Sequence, residues 1–205
     1  MNLWRNLAVA AMAVTTFAAC SKNYHLSDGE HAIVIDPTVS RASELSFDSG
    51  DRIGVTIVKS GESTPYITNT PFTSNGSVFS AGGTVWYAGS QSATIRAYYP
   101  YSSAGEPATF TVQTDQRGSG YTQSDFMTAL KSGVYPSSAS VPMIFSHRMV
   151  KMNIEVTNES SASISEVGIL SCGITASVDL AAERVQSYAS TAKADIKAHE
   201  SVSQR

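Results

Sequence analysis

Apolar and polar residues alternate at period two in several short runs, the pattern of strands with one face buried. The cleanest run is Met149 to Val156, where Val150, Met152, Ile154 and Val156 share one face and Lys151, Asn153 and Glu155 the other. This alternation predicts a half-buried strand of an antiparallel sheet. A second run places Ile53, Val55 and Ile57 on one face after the turn residues Ser49-Gly50-Asp51. Ala32 to Asp36 reads as a strand stopped by Pro37, and Ala93 to Tyr99 as one ended by Pro100. Asn75-Gly76 predicts a turn before Val78-Phe79, and Gly82-Gly83 another before Val85-Trp86-Tyr87. Phe110 to Val112, Glu166 to Leu170 and Ser177 to Leu180 are shorter extended candidates.

Helical signals are few. Ser124 can cap a helix running to about Lys131, with Phe126, Met127 and Leu130 on its inner face. Asp179 to His199 is helix-prone in composition, yet Leu180, Val185, Tyr188 and Ile196 make a poor helical stripe. Many short strands, one helix and frequent Gly/Ser turns predict an all-β protein, an antiparallel β-sandwich.

The start of the chain changes the picture. Arg5 is followed by an apolar run from Leu7 to Phe17, too short to span a bilayer, then Ala18-Ala19-Cys20. The run resembles a bacterial lipoprotein signal covering residues 1–19. The Cys20 thiol would take lipid, the peptide would be cut before it, and the mature protein would sit on the outer membrane. An ordinary secretory peptide cut nearby is the other reading. Either one sends the chain out of the cytoplasm. Residues 20–41 are polar enough to serve as a tether, apart from the strand candidate inside them.

Composition narrows the function classes. The chain has 205 residues, 42% hydrophobic and 15% charged, with a formal net charge of −3. No basic face stands out, so nucleic acid is not an expected partner. With Cys20 given to lipid, Cys172 is left single and reads as a small buried apolar residue, so no disulfide framework is available. No Gly-x-Ser-x-Gly motif occurs, and Ser190-Thr191-Ala192-Lys193 lacks the companion motifs of Ser-x-x-Lys enzymes. His25, His31, His147 and His199 show no metal-ligand spacing, and Asp48 and Asp51 lack the ligand series of a calcium loop. Neither an enzyme nor a cofactor is expected. His147 reads as a structural hydrogen-bonding residue at a strand start.

Several motifs together resemble the fimbrillin family, the Mfa-like pilins and surface lipoproteins of gut and oral anaerobes. They are Ser40-Arg41-Ala42, Phe47 with Gly50-Asp51-Arg52-Ile53-Gly54-Val55, and Tyr66 with Asn69-Thr70 and Phe72. Further on come Val85-Trp86-Tyr87, Ala97-Tyr98-Tyr99-Pro100-Tyr101, Thr114-Asp115-Gln116, Ser124-Asp125-Phe126-Met127 and Phe145-Ser146-His147-Arg148-Met149-Val150-Lys151. Each is weak alone; their order behind a lipoprotein signal carries the resemblance.

The resemblance implies two β-sandwich domains of transthyretin-like topology. Residues 42–175 would be the amino-terminal one, and 176–205 the start of an incomplete second, as in a truncated product. It also implies a fimbrial subunit with a role in adhesion, exported as a lipoprotein and assembled with other fimbrial subunits by strand exchange. In that scheme an arginine-specific protease trims the leading segment, and Arg41 is the candidate cleavage site. The alternative keeps Arg41 as a linker residue in an anchored tip or accessory subunit.

Trp86, Tyr87, Tyr98, Tyr99 and Tyr101 admit two readings. Packed in a core or an interface they are structural. Exposed in a row they would stack on sugar rings, making the protein a monomeric surface lipoprotein that binds glycans of a host or bacterial surface. Tyr98 and Tyr99 are adjacent on a strand and should point to opposite faces.

Overall fold

The computed structural model describes residues 30–40, 46–186 and 192–199. Cys20, Arg41 and the signal-like stretch lie outside the described residues. Twelve strands and one four-residue helix make up the described fold. β1 (Ala32–Val39), β2 (Arg52–Lys59), β3 (Ile67–Ser74), β4 (Phe79–Val85) and β5 (Ala93–Tyr99) come first. β6 (Thr109–Thr111), the helix α1 (Gly120–Gln123), β7 (Met127–Val134) and β8 (Val141–His147) follow. β9 (Gly168–Gly173), β10 (Thr175–Asp179), β11 (Arg184–Gln186) and β12 (Lys193–Lys197) complete it.

The protein is all-β, and seven of its strands make one closed sheet. They close on themselves in the order β1-β4-β3-β2-β5-β7-β8. Six of the ladders are antiparallel; the seventh, β8 to β1, is parallel. The remaining strands form a three-stranded sheet β11-β10-β6 and a pair β12-β9.

Inward-facing positions at period two fill the barrel. Ile33 and Ile35 of β1, Ile53, Val55 and Ile57 of β2, and Ala93, Ile95 and Ala97 of β5 belong to one buried cluster. Phe47 sits edge-on to Phe79 and Phe145 at 4.9 and 5.2 Å within it. A smaller cluster of Tyr98, Phe126 and Leu180 lies under the three-stranded sheet, with Phe110, Val178 and Val185 against it. β5 therefore carries one cluster on each face.

Several expectations are corrected. Pro37 lies inside β1, because the ladder to β4 stops at Ile35 and leaves an edge where a missing N–H costs no ladder bond. Gly82 and Gly83 lie inside β4, where the register against β1 slips between Ala32 and Val34. Gly83 has φ +79, so the pair makes a bulge instead of a turn. Ser124 ends a helix instead of starting one: it is the C-cap of α1, and its hydroxyl donates to Gly120 O at 2.8 Å. Met127 to Val134 is then a strand against β5, because Met127 and Ala129 enter the barrel at period two.

The helix-prone tail supplies β11 and β12. Cys172 is half-buried, since β9 pairs only with β12 and has no thick core behind it. His147 ends a strand instead of starting one. The run Met149 to Val156 joins no sheet at all.

Candidate functional site: the leading strand and its slot

β1 is the element the site is built on. Its alternating apolar residues Ile33 and Ile35 are fully buried, while Ala32, Asp36 and Thr38 are exposed. On one side Val34 and Ile35 oppose Ser80 and Phe79 of β4. On the other, Ile35 to Val39 run parallel to Val141 to Phe145 of β8. The strand thus bridges the two edges of a six-stranded sheet. Take it away, and β4 and β8 each present unpaired backbone beside a slot of apolar residues.

The strand is pinned up to the residue before Arg41. Ser40 N donates to Phe145 O at 2.8 Å, and Ser40 Oγ donates to Ser146 Oγ at 3.1 Å. Phe47, six residues after Arg41 in the sequence, is buried. At the opposite end of β1, Trp86 N donates to His31 O at 2.9 Å.

The five aromatic residues do not come together as a row. Trp86 is 4% exposed, and among the described residues its indole Nε1 finds no hydrogen-bond partner. Tyr87 is half-buried, edge-on to Trp86 and to Tyr66, and its hydroxyl donates to Gln91 O at 2.7 Å. Tyr98 and Tyr99 point to opposite faces of β5, one into each apolar cluster. Tyr101 packs under the Arg52 guanidinium, 4.6 Å from ring centre to Cζ.

A family model described as fimbrillin-like matches residues 40–204. The chain belongs to the fimbrillin-like family. Among solved structures, it is similar to a candidate cell adhesion protein from Bacteroides ovatus at 22% identity and TM-score 0.66, over 85% of this chain and 75% of that one. A second candidate cell adhesion protein, from Bacteroides uniformis, is 21% identical at TM-score 0.64, over 86% of this chain and 72% of that one. At these identities the likeness is one of fold. No curated protein matches the chain.

In this fimbrillin-like chain the polar groups near the barrel mostly serve its architecture. Arg96 holds Glu106 with two hydrogen bonds, 2.8 and 3.0 Å long. Burial pushes the Glu106 carboxyl up, but Arg96 and the Thr56 hydroxyl outweigh it and hold the group below its ordinary value. His147 Nδ1 meets Asp125 Oδ1 at 2.6 Å where β8 ends. Among the described residues no cluster of three or more His, Cys, Asp or Glu could hold a metal ion. No described helix is long and apolar enough to cross a membrane.

Sequence reasoning missed two partners of Tyr87. Lys59 Nζ stands 5.1 Å from the Tyr87 ring centre and 5.8 Å from that of Tyr66. The Tyr66 hydroxyl in turn donates to Val85 O at 3.0 Å. Lys59 and Tyr66 flank the hairpin between β2 and β3, and no local signal brings Tyr87, which follows β4, to them.

Proposed function

We propose that this fimbrillin-like protein is a cell-surface fimbrial subunit that acts in adhesion and is delivered to the outer membrane as a lipoprotein through a lipid on Cys20. In this reading β1 is a removable leader. Cleavage after Arg41 frees it, and a strand from a neighbouring subunit takes its place between β4 and β8. The observation that carries the reading is the position of β1: it closes the barrel between two sheet edges, and its last residue, Val39, stands two positions before Arg41 in the sequence. An incoming strand with apolar residues at alternate positions would meet the backbone groups and buried positions that β1 now satisfies.

The role is structural, and the placement of the aromatic residues favours it over sugar stacking. Tyr98 and Trp86 are buried, and the Tyr66 and Tyr87 hydroxyls are already donating to backbone carbonyls.

The test is amino-terminal sequencing and unheated gel electrophoresis of protein from its native host, before and after brief digestion with an arginine-specific protease. A new terminus at Ala42 together with a ladder of oligomers is the expected result. A lipidated Cys20 that persists with a single band makes the protein an anchored accessory subunit instead, with Arg41 a linker residue. Monomeric protein that binds glycan, and loses affinity on Trp86→Ala, would overturn the fimbrial reading.

A further inference from the structure

The register of the barrel gathers one set of chain positions at one end. Ala32 opposes Val85, Ile57 opposes Ile67, and Ala93 opposes both Lys59 and Val134. The start of β1, the β2–β3 and β4–β5 loops and the chain leaving β7 therefore share that end. Ser40 and the Asn75-Gly76 turn between β3 and β4 lie at the other, a strand length of about 26 Å away.

The end where β1 begins is aromatic. Tyr66 is 37% exposed and Tyr135 62%. Tyr87, half-buried, stands edge-on to Tyr66 with ring centres 5.2 Å apart. The Tyr66 hydroxyl donates to Val85 O and that of Tyr87 to Gln91 O, so neither ring must keep its polar tip in water. Lys59 Nζ lies over both rings and 3.4 Å from Glu62 Oε1, which balances its charge. Rings with an apolar body and a satisfied polar edge partition into the headgroup layer of a bilayer.

The chain that enters this end names the partner. Nine residues separate Cys20 from Glu30, and nine residues span at most about 32 Å. A lipid on Cys20 holds the start of β1 within that distance of the bilayer, with Ser40 at the far end of the strand. We propose that in the lipidated chain this end of the barrel rests on the membrane, with Tyr66, Tyr87 and Tyr135 in the headgroup layer.

The inference rests on the lipoprotein reading above and gives it an orientation. Ser40, next before Arg41 in the sequence, is carried on the side away from the membrane, where a soluble protease has access. A few exposed rings bind a bilayer weakly by themselves. The lipid supplies the second contact that makes the docking persist, because it keeps the rings at high local concentration over the surface.

Trp86 reports on the contact. It is the one tryptophan after Cys20, and its ring centre lies 5.9 Å from that of Tyr87. Protein purified from its host is checked by mass spectrometry for lipid on Cys20, then placed in phosphatidylcholine vesicles whose acyl chains carry bromine near the headgroup. Bromine quenches indole emission only at short range. Trp86 emission is expected to fall relative to unbrominated vesicles, and to recover when Tyr66→Ser and Tyr135→Ser are combined. Trp86→Phe together with Ser77→Trp moves the emitter to the exposed turn at the far end, and its emission should stay unquenched. Ser77→Trp with Trp86 kept makes the same comparison without touching the core, and its emission should fall only in part.

Lipidated protein whose Trp86 escapes the quencher overturns the proposal and leaves the lipoprotein reading standing. Equal quenching at both ends, or full quenching in the paired serine variant, overturns it too. A Cys20 without lipid overturns the lipoprotein reading and this inference together.

Discussion

The phenol ring of Tyr98 lies across the α-carbon of Gly54. The two residues are direct cross-strand partners on β5 and β2, and a Cβ on Gly54 would stand 2.6 Å from Tyr98 Cζ and 2.7 Å from Asn69 Oδ1. The absence of a side chain at 54 lets the ring cross the sheet to a polar node. Tyr98 Oη donates to Asn69 Oδ1 at 2.7 Å and accepts from Ser102 N at 3.1 Å. Asn69 holds φ +44, with its Nδ2 donating to Ser102 O and its N to Thr56 Oγ1. This node ties β2, β3 and β5 to the loop after Pro100, on the barrel face opposite the slot.

Gly54→Ala is therefore expected to destabilise the protein by about 1–3 kcal/mol, the cost of overpacking where neither the ring nor the amide can retreat. Tyr98→Phe should cost a comparable amount by leaving buried polar partners unmatched. Urea unfolding of both single variants and the double variant gives the check. The double change should cost less than the sum, since each single change already disrupts the same node.

Stability should also depend on β1 in the uncleaved chain. Ile33→Ala and Ile35→Ala remove fully buried side chains and should each cost about 2–5 kcal/mol. Pro37→Ala, where the strand has passed the end of its β4 ladder, should change little. The same urea titrations distinguish a barrel that needs β1 from one that merely carries it.

The Arg96–Glu106 pair sets an acid limit. Glu106 has its pKa lowered in the folded state, so the unfolded chain binds the proton more tightly. The stabilisation is fully present above the unfolded carboxyl value of about 4.3 and is lost as pH falls through the folded value. Urea midpoints should decline below that range, and the decline should be shallower in Glu106→Gln. An acid limb unchanged by the substitution would mean other carboxylates dominate.

How much of this was legible in the sequence differs from strand to strand. β2 and β5 could be read because Ile53, Val55, Ile57 and Ala93, Ile95, Ala97 alternate at period two and all enter the barrel core. The closure of the barrel could not, because β1 and β8 lie some hundred residues apart and their parallel ladder leaves no local mark; the register Ile35↔Val141 exists only in the fold. Ser124 misled because a serine before a short apolar run is equally a cap at either end of a turn. Met149 to Val156 is the opposite case: its pattern is that of a strand, but burial depends on a partner sheet, and pattern alone cannot supply one. That β1 closes the barrel was not legible either, since the sequence shows the strand and not the two edges it joins.

Tyr99 makes a final prediction at the alkaline end. Its ring faces the barrel core beside Phe47, and its hydroxyl donates to Asp51 Oδ1 at 3.3 Å. Burial first, then the Asp51 charge and hydrogen bond, push the phenol up to about 12. Because the folded value is raised above the unfolded one near 10, the neutral phenol stabilises the fold below about pH 10. That contribution is lost as pH rises towards 12. An ultraviolet titration of phenolate absorbance should show Tyr99 among the last tyrosines to ionise, with unfolding setting in over the same range. Tyr99→Phe should remove that late step and extend the stable range upward. A late step of unchanged amplitude in Tyr99→Phe would assign it instead to Tyr98 or Tyr87, the other tyrosines whose burial raises them.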